Sequence, residues 1–439
     1  MSAHSSSPSL LPVPAARFWT PDLVRFLWDP RATLQRYVHT AGDPFGVPGT
    51  VFTGDPACLR ALFAADPDGF DIPLREQLTP FFGGASLILT GGARHRRDRR
   101  LLMPPFHGAR LVTYGEVIRD AARKAAAEWR PGVPFRMHDA MKGVTLEVIL
   151  RAVFGVEAPE RRERFREAVH ALAGAMASPA IAMFQSLRRP FGGYGPWARF
   201  LRARDRFDAL VHEEIAARQA ERPDRHDILS LMIAARYEDG SAMTTDELRD
   251  QLHLLLFAGH DTTSTALTWA FYWLDRHPEV RAEVVRELDA LGPDPEPTAL
   301  AALPYLEAVC KETLRIHPVV MHVGRLVREP FALGPYEVPA GTTVMASALI
   351  LHEREDLYPE PRRFRPERFL ERSFGPSEYI PFGGGSRRCL GAALAMFEMK
   401  VVLGTLARAH PVRAVDPRPV KCVLQGLTMG PKGGIPMVT

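Results

Sequence analysis

The stretch Phe382-Gly-Gly-Gly-Ser-Arg-Arg-Cys-Leu-Gly391 says more about the fold than any other part of the chain. It places Cys389 in a glycine-rich loop, directly before a segment whose apolar residues repeat at helical spacing. A thiolate at this position would lie at the positive end of a helix dipole and beside Arg387 and Arg388. Both effects favour the ionised sulfur, so the sequence predicts a loop that presents Cys389 as a ligand.

The glycines at 383, 384 and 385 would let the backbone of this loop approach a flat ligand, because they have no Cβ atoms. A single cysteine is more often a small buried side chain than a ligand. Here every fixed position of the pattern F-G-x-G-x-R-x-C-x-G is matched. The surrounding residues therefore favour the ligand over the buried side chain.

Composition excludes several classes of protein. Of the 439 residues, 46% are hydrophobic and 24% charged, which is typical of a folded globular chain. The formal charge of +4 is spread along the sequence, unlike the basic stripe of a nucleic-acid-binding protein. The cysteines at 58, 310, 389 and 422 show no paired spacing, which suits a reducing cytoplasm rather than disulfides or zinc. No apolar run is long enough for a signal sequence or a membrane span, so no membrane partner is expected.

Helical periodicity dominates the chain from about residue 55 to residue 316. Alternating, β-type sequence is confined to about 48–53, 324–346 and the last twenty or so residues, and the stretches 70–92 and 364–381 are predicted as loops. The sequence therefore predicts a mainly α fold with small β-sheets. Residues 1–20 are expected to be mobile and residues 21–439 to form a single domain.

The longest predicted helix runs from Thr245 to Arg276 and begins at a capping box. Its middle is apolar on all sides, which indicates burial. The sequence Ala258-Gly-His-Asp-Thr-Thr263 interrupts this apolar middle, and burial of Asp261 without partners would be costly. These residues could simply kink the helix. A polar break over a cofactor, where an acid and a hydroxyl move protons, accounts for them better.

Two further patterns have ordinary explanations when each is taken alone. Glu312 and Arg315 are three residues apart, as in many surface ion pairs on helices. His95 and Arg99 are four residues apart in an arginine-rich helix, which would also suit a solvated face. Their context changes this interpretation, because the E-x-x-R pattern is followed by Pro366-Glu-Arg-Phe369 and then by the cysteine loop.

In the order H-x-x-x-R, A-G-x-D-T-T, E-x-x-R, P-E-R-F and cysteine loop, these motifs resemble those of the cytochrome P450 family, of the soluble bacterial type, from about residue 40 to the C-terminus. The resemblance implies the cytochrome P450 fold, with the long central helix over a haem b and Cys389 as the axial iron ligand. It also implies a buried network of Glu312, Arg315 and Arg368. Contacts to the cofactor would come from His95, Arg99, Ala258, Gly259, Arg325, Phe382, Gly383, Arg387, Cys389 and Gly391.

The resemblance further implies a haem-thiolate monooxygenase that hydroxylates or epoxidises a lipophilic substrate, such as a fatty acid or terpenoid, with one oxygen atom of O2. Thr262 would hydrogen-bond the dioxygen and Asp261 would relay protons to it. Electrons would come from a separate ferredoxin or flavodoxin and its reductase, because no flavin or nicotinamide segment is visible. Some of the arginines at 96, 97 and 100 could form the docking face for this donor. A monomer is expected.

Substrate contacts are implied for an apolar set of residues, for which ordinary core packing is an equally good explanation. They are Phe82, Leu87, Leu255, Val319, Val320, Leu427 and Met429, together with the region Ser178–Phe191. Two other functions stay open at this point. One is a haem-thiolate peroxygenase or hydroperoxide isomerase, which needs no electron donor. The other is a haem sensor or carrier without catalysis, in which Asp261 and Thr262 would have no task.

Overall fold

The computed structural model describes residues 20–176, 188, 193–220 and 225–439, together with the backbone of residues 9 and 10. Helices dominate this part of the chain. In chain order they are α1 (Thr20–Trp28), α2 (Pro30–Ala41), α3 (Pro56–Ala64), α4 (Arg75–Phe82), α5 (Gly92–Leu102), α6 (Ala109–Ala127), α7 (Met137–Val148), α8 (Pro159–Met176), α9 (Gly195–Ala220), α10 (Ile228–Ala234), α11 (Thr245–Arg276), α12 (Pro278–Ala290), α13 (Pro297–Ala301), α14 (Pro304–Ile316), α15 (Ala348–Leu351), α16 (Arg368–Glu371) and α17 (Ala392–Leu406).

The strands of the described chain are short and form small sheets. They are β1 (Ser9–Leu10), β2 (Phe45–Val47), β3 (Thr50–Thr53), β4 (Phe70–Asp71), β5 (Phe135–Arg136), β6 (His322–Val327), β7 (Phe331–Leu333), β8 (Tyr336–Val338), β9 (Thr343–Ser347), β10 (Arg413–Ala414), β11 (Cys422–Gln425), β12 (Thr428–Pro431) and β13 (Pro436–Val438). The largest sheet has the order β2-β3-β9-β6-β4, beside the smaller groups β1-β8-β7, β10-β13-β5 and β11-β12. The predicted mainly α fold with small sheets is confirmed.

The central helix α11 has the predicted bounds and begins at the predicted capping box. The Thr244 hydroxyl accepts the N–H of Glu247 at 3.2 Å, and the Glu247 carboxylate accepts the N–H of Thr244 at 2.9 Å. At 1.5 Å per residue this helix is about 48 Å long. It packs along α7 and also contacts α14, which carries the E-x-x-R motif, and α17, which follows the cysteine loop. The central helix therefore joins the elements that carry three of the motifs.

Several elements, most of them near the N-terminus, depart from the sequence prediction. The stretch 70–92, predicted as a loop, contains α4, which the sequence disguises because Pro80 lies inside it and Leu74 before it has a left-handed backbone with φ 57°. The stretch 364–381 contains the short α16, and α1 and α2 were not predicted. A signal for α2 was present, since Asp29 followed by Pro30 is the same start as in α3.

The expected mobility of residues 1–20 falls almost wholly outside the described residues. Of this segment, Ser9 and Leu10 form β1, which pairs in parallel with β8, and Thr20 begins α1. None of the helices in the described ranges has the combination of length and apolar character that a transmembrane span requires.

Candidate functional site

The cysteine loop is closed by a hydrogen bond between its two ends. The N–H of Cys389 donates to the carbonyl of Phe382 at 2.9 Å, and the 3₁₀ turn Gly385–Arg387 lies between them. Gly391 is the N-cap of α17, so the thiol lies at the positive end of this helix. Cys389 is an exposed residue, although the protein atoms around it still desolvate its thiol.

The protein alone does not keep the Cys389 thiol ionised. Burial raises the pKa of the thiol, and the N–H of Gly391 and the guanidinium groups of Arg99 and Arg388 oppose this rise only in part. The end of the helix and Arg388 act on the sulfur in the expected direction, but desolvation of the sulfur outweighs them in the chain without a metal ion. A metal ion that binds the sulfur displaces its proton, so coordination would complete the ionisation.

The glycines of the loop have a structural reason that the sequence did not reveal. A Cβ atom on Gly384 would lie 2.3 Å from the ring of Phe63 in α3, and one on Gly385 would lie 2.5 Å from the carbonyl oxygen of Phe63. Gly383 and Gly385 also have positive φ values of 65° and 64°. The missing side chains let the loop pack against α3, and we find this a firmer reason than close approach to a flat ligand.

Basic residues from three elements meet beside the loop, and we call them the cation cluster: His95 and Arg99 of α5, Arg325 of β6 and Arg387 of the loop. The charges of the three arginines all act on His95, which shows that the four groups are close together. In the described part of the chain, none of the three arginines has an Asp or Glu within ion-pair distance. The cluster is a concentration of positive charge that the protein does not itself compensate.

Burial explains how strongly these charges are perturbed. It lowers the pKa of His95 to about 3, with further contributions from Arg387 and Arg99. It lowers the pKa of Arg325 and of Arg387 to about 10, and both remain charged at neutral pH. Partly buried guanidinium groups without a carboxylate partner suit an anionic ligand that brings its own carboxylates. The two propionates of haem fit this site, beside a thiol that can bind the iron.

The residues Glu312, Arg315 and Arg368 form a buried ion network, which we call the E-R-R network. The Glu312 carboxylate accepts two hydrogen bonds from Arg315, at 2.7 and 2.8 Å, and one from Nε of Arg368 at 3.1 Å. All three side chains are almost completely buried. The structure brings these residues together as the resemblance implies, and each charge has a partner inside the chain.

His352, which the sequence analysis missed, connects the E-R-R network to the cysteine loop. Its Nδ1 bonds the carbonyl of Arg315 at 3.1 Å, and its Nε2 accepts the N–H of Ile380 at 3.1 Å. Because Nε2 accepts, Nδ1 carries the proton and the ring is neutral. Burial lowers the pKa of His352 to about 3, which agrees with a neutral ring. Ile380 lies two residues before Phe382, and no motif in the sequence pointed to this connection.

The polar break of the central helix has two faces, and one of them is open. Ala258 is exposed although the helix around it is mostly buried, and the hydroxyl of Thr262 donates to its carbonyl at 2.5 Å. Leu255, three residues before Ala258, is half-buried on the same side. This face combines a small side chain, a hydroxyl and an apolar side chain.

The other face is held by partners that the sequence did not reveal. Nζ of Lys142 in α7 lies 3.4 Å from one oxygen of Asp261, and the hydroxyl of Thr428 in β12 donates to the other oxygen at 3.0 Å. The hydroxyl of Thr145, also in α7, bonds Nδ1 of His260 at 2.8 Å. Asp261 is therefore buried only in part, with both of its oxygens satisfied.

Gly259 serves a different purpose from the one expected. A Cβ atom at this position would lie 2.9 Å from Cδ1 of Ile149, in the π-helical turn that follows α7. The missing side chain allows α7 to pack closely against the central helix. Space for a small ligand would come from Ala258 on the open face.

The predicted substrate contacts are scattered in their exposure. Phe82, Leu87, Val319 and Met429 are buried, Leu255 is half-buried, and Val320 and Leu427 are exposed. Met429 packs in a core cluster with Leu34 and Tyr37, which supports the core explanation for this residue. Ile88, which lies in the Phe81–Leu89 loop that the resemblance also places at the substrate, is 44% exposed between two buried leucines. The region Ser178–Phe191 lies outside the described residues, apart from Arg188.

Comparison with known proteins agrees with this geometry. A family model described as "Cytochrome P450" matches residues 44–436. The chain is 40% identical over 378 residues to a Mycobacterium tuberculosis protein named cytochrome P450 135B1, covering 84% of this chain and 77% of that protein. It is 33% identical over 423 residues to the cytochrome P450 138 of the same organism, covering 93% and 91%.

A solved structure has the same fold over nearly its whole length. The cyanobacterial protein CYP120A1, solved with retinoic acid bound, superposes with a TM-score of 0.85 and 25% identity, covering 98% of this chain and 99% of that one. Sequence, site and fold thus agree, and this chain belongs to the cytochrome P450 family.

Proposed function

We propose that this haem-thiolate monooxygenase binds haem b and hydroxylates or epoxidises a small lipophilic substrate, such as a fatty acid or terpenoid. The observation that carries the proposal is the open thiol of Cys389 beside the uncompensated cation cluster. When bound through the sulfur, the haem supplies the activation of dioxygen. The residues of the chain would hold the cofactor, orient the substrate and deliver protons.

Two groups of residues would hold the cofactor. Cys389 would bind the iron, while Arg99, Arg325 and Arg387 would donate charge-assisted hydrogen bonds to the propionates. The neutral His95 ring could donate one hydrogen bond more. The E-R-R network and His352 would act at a distance, by fixing the position of the cysteine loop.

Asp261 and Thr262 would deliver protons. The carboxylate of Asp261 is 35% exposed and paired with Lys142, whose side chain is 39% exposed, so this pair connects the central helix to solvent. Thr262 donates its own proton to the carbonyl of Ala258 and keeps its oxygen free to accept another. A proton from the side of Asp261 would free Thr262 to donate toward the open face.

Apolar side chains support the lipophilic substrate. Leu255 and Ala258 border the open face, and Ile88 adds an exposed apolar side chain near the loop that Arg387 contacts. The structural relative CYP120A1 has retinoic acid bound, a lipophilic carboxylic acid. A substrate of this general kind would find few polar groups to satisfy on the open face.

Electrons would come from a separate ferredoxin or flavodoxin with its reductase. The arginines of α5 contribute less free charge to a docking face than their number suggests: Arg96 pairs with Asp68 at 2.9 Å, and Arg97 with Asp98 at 3.3 Å. Arg388, beside Cys389, is exposed and has no carboxylate partner among the described residues. An acidic donor would therefore dock around Arg388. We further propose a monomer of one haem domain, residues 21–439, located in the cytoplasm.

The first test is the absorption spectrum of the reduced holoprotein with carbon monoxide. The strongly red-shifted Soret band of a thiolate-bound complex is expected, and it should be lost in Cys389→His. Titration of the ferric protein with fatty acids and with terpenes then identifies the substrate class, because a substrate that displaces the iron-bound water converts the iron to high spin. A Soret band typical of histidine ligation in the unmodified protein would contradict the proposal.

A second test separates the monooxygenase from a peroxygenase or hydroperoxide isomerase. Thr262→Ala should consume reducing equivalents with little product, because proton delivery is impaired while the haem is retained. Ser264→Ala, which removes a hydroxyl bonded only to the helix carbonyl of Asp261, is the matched control. Peroxide-driven turnover that is unchanged in Thr262→Ala, together with no turnover from reduced donor in the unmodified protein, would favour the peroxygenase.

A further inference from the structure

The buried amide side chain of Gln251, in the central helix, holds the segment 85–90 through hydrogen bonds. Oε1 of Gln251 accepts the N–H of Leu87 at 3.0 Å, and its Nε2 donates to the carbonyl of Ala85 at 2.8 Å. Gln251 is 1% exposed. Both halves of its amide are thus used on the backbone of a single loop, where Gln251 satisfies the buried N–H of Leu87 and the partly buried carbonyl of Ala85.

Asp250, the preceding residue, adds a further hydrogen bond between the central helix and this segment. One of its carboxylate oxygens accepts the N–H of Ala85 at 2.9 Å, while the other accepts hydrogen bonds from Arg249. A Cβ atom on Gly83, which has a φ of 77°, would lie about 2 Å from this carboxylate, so only glycine allows the approach. The central helix therefore also holds the start of this loop, through Asp250.

The opposite side of the same segment is held by the cation cluster. Nη1 of Arg387 donates to the carbonyl of Leu87 at 3.3 Å, and Nη2 donates to the carbonyl of Thr90. The peptide groups of Leu87 are therefore bonded on one side to the central helix, through Gln251, and on the other to the cysteine loop. We call this arrangement the Leu87 clamp.

The side chains of the segment alternate between buried and exposed, so the position of the segment determines the position of its exposed apolar side chain. Leu87 and Leu89 are buried in the main hydrophobic cluster, whereas Ile88 between them is 44% exposed. If the segment moves away from the central helix, the side chain of Ile88 moves with it. The clamp thus fixes where an exposed apolar side chain stands, next to an arginine of the cofactor site.

We propose that Gln251 is a positioning residue that holds the segment 85–90 closed against the central helix, and that release of the Leu87 clamp controls the access of apolar ligands to the haem. The proposal rests on the proposed function for the presence of the haem, and on the hydrogen bonds of Gln251 for the closure. Arg387 completes the clamp, so that a bound propionate and the closed segment share one guanidinium group.

The test compares Gln251→Leu with the unmodified holoprotein. Leucine has a similar volume but leaves the N–H of Leu87 and the carbonyl of Ala85 unpaired, which should speed hydrogen exchange at the Leu87 amide about 10- to 100-fold. Association of 4-phenylimidazole with the ferric haem should become faster as well. The matched control is Gln219→Leu, since Gln219 is exposed at the end of α9.

Gln251→Glu provides a second variant that retains the shape of the side chain. Its carboxylate can accept the N–H of Leu87 but cannot donate to Ala85, whereas the protonated form can do both. Protection of Leu87, corrected for intrinsic exchange, should therefore recover as the pH is lowered through the titration of the introduced carboxyl group. A purely space-filling role for Gln251 would give no such pH dependence.

Two results would overturn the proposal. One is exchange at Leu87 and 4-phenylimidazole association in both Gln251 variants that match the Gln219→Leu control. The other is loss of the thiolate Soret band in Gln251→Glu, since Gln251 would then hold the haem site itself. Failure of the proposed function is distinguishable, because the unmodified protein would lack that Soret band while the exchange comparison, which needs no turnover, would still decide the closure.

Discussion

The E-R-R network buries its arginines almost completely and the cation cluster buries its arginines in part, and the charges of the two regions are balanced in opposite ways. In the network, the carboxylate of Glu312 accepts hydrogen bonds from Arg315 and Arg368, so its charges are paired within the protein. In the cluster, Arg325 and Arg387 donate only to backbone carbonyls among their hydrogen bonds within the described chain. A buried ion pair makes the loss of either partner costly, whereas partly buried charges without a carboxylate partner mark a place where a ligand completes the protein.

The largest effect is expected when the network loses its carboxylate. Glu312→Gln leaves Arg315 and Arg368 buried without a counter-charge, which should lower the free energy of unfolding by about 3–5 kcal/mol. Urea unfolding of the holoprotein, followed by circular dichroism, measures the change. Glu283→Gln is the control, because Glu283 pairs with the exposed Arg286 and its loss should not shift the transition. Equal effects of the two substitutions would show that the network has no special weight.

The cluster should respond in the opposite way when it loses a cation. Arg325→Leu should weaken haem binding about 10- to 100-fold, because one charge-assisted hydrogen bond of about 1.5–3 kcal/mol is lost. The free energy of unfolding of the haem-free chain should stay the same or rise, since one of several neighbouring like charges is removed. Haem transfer to apomyoglobin and urea unfolding measure the two quantities. A haem-free chain that is destabilised as strongly as Glu312→Gln would erase the distinction between the two regions.

Acid should separate the two regions through their histidines. Burial holds the pKa of His352 near 3 in the folded chain, against 6.5 in the unfolded chain. The unfolded state alone gains a proton below pH 6.5, so stability falls as the pH drops from 6.5 toward 3. Between pH 6.5 and 5, one such histidine should cost about 2 kcal/mol.

Replacement of each histidine measures how much it contributes to the fall in the free energy of unfolding between pH 6.5 and pH 5. In the holoprotein, His352→Asn should remove its share of the stability difference between pH 6.5 and pH 5. His95→Asn should remove less, because the propionates would raise the pKa of His95 above the value of about 3 that burial and the arginines impose. Equal shares would mean that no anion reaches the cluster.

The smallest effect is expected for an exposed arginine of the same helix. Arg96 pairs with Asp68 on the surface, where solvent screens both charges. Arg96→Ala should leave haem binding and the urea transition unchanged. A loss of haem as large as in Arg325→Leu would show that the whole of α5, rather than the buried cluster, holds the cofactor.

The sequence was most informative where a local signal decides local structure. The capping box at Thr244 and the apolar stretch that follows predicted the central helix at its observed bounds, and the cysteine loop indicated the family. The helix α4 was not predicted, because it contains Pro80 and packing against the rest of the fold outweighs local preference there. The helix α1 was not predicted either.

The site was predictable as a set of residues but not as a set of contacts. Lys142, His352 and Phe63 belong to no motif, and each becomes important only through a partner that is distant in sequence: Asp261, Ile380 and Gly384. The desolvation of Cys389 could not be predicted for the same reason, because adjacent arginines are visible in a sequence and desolvation is not.

The uncompensated charge of the cation cluster also has a consequence for how the holoprotein assembles. A positive region attracts a dianion before any contact is made, so haem uptake should be fast at low ionic strength and slow as salt screens the attraction. The same field distinguishes between porphyrins, since one whose carboxylates are esterified would approach without guidance. The cluster would therefore select a dianionic porphyrin by electrostatic attraction during maturation. Coordination by the sulfur of Cys389 would then select for iron.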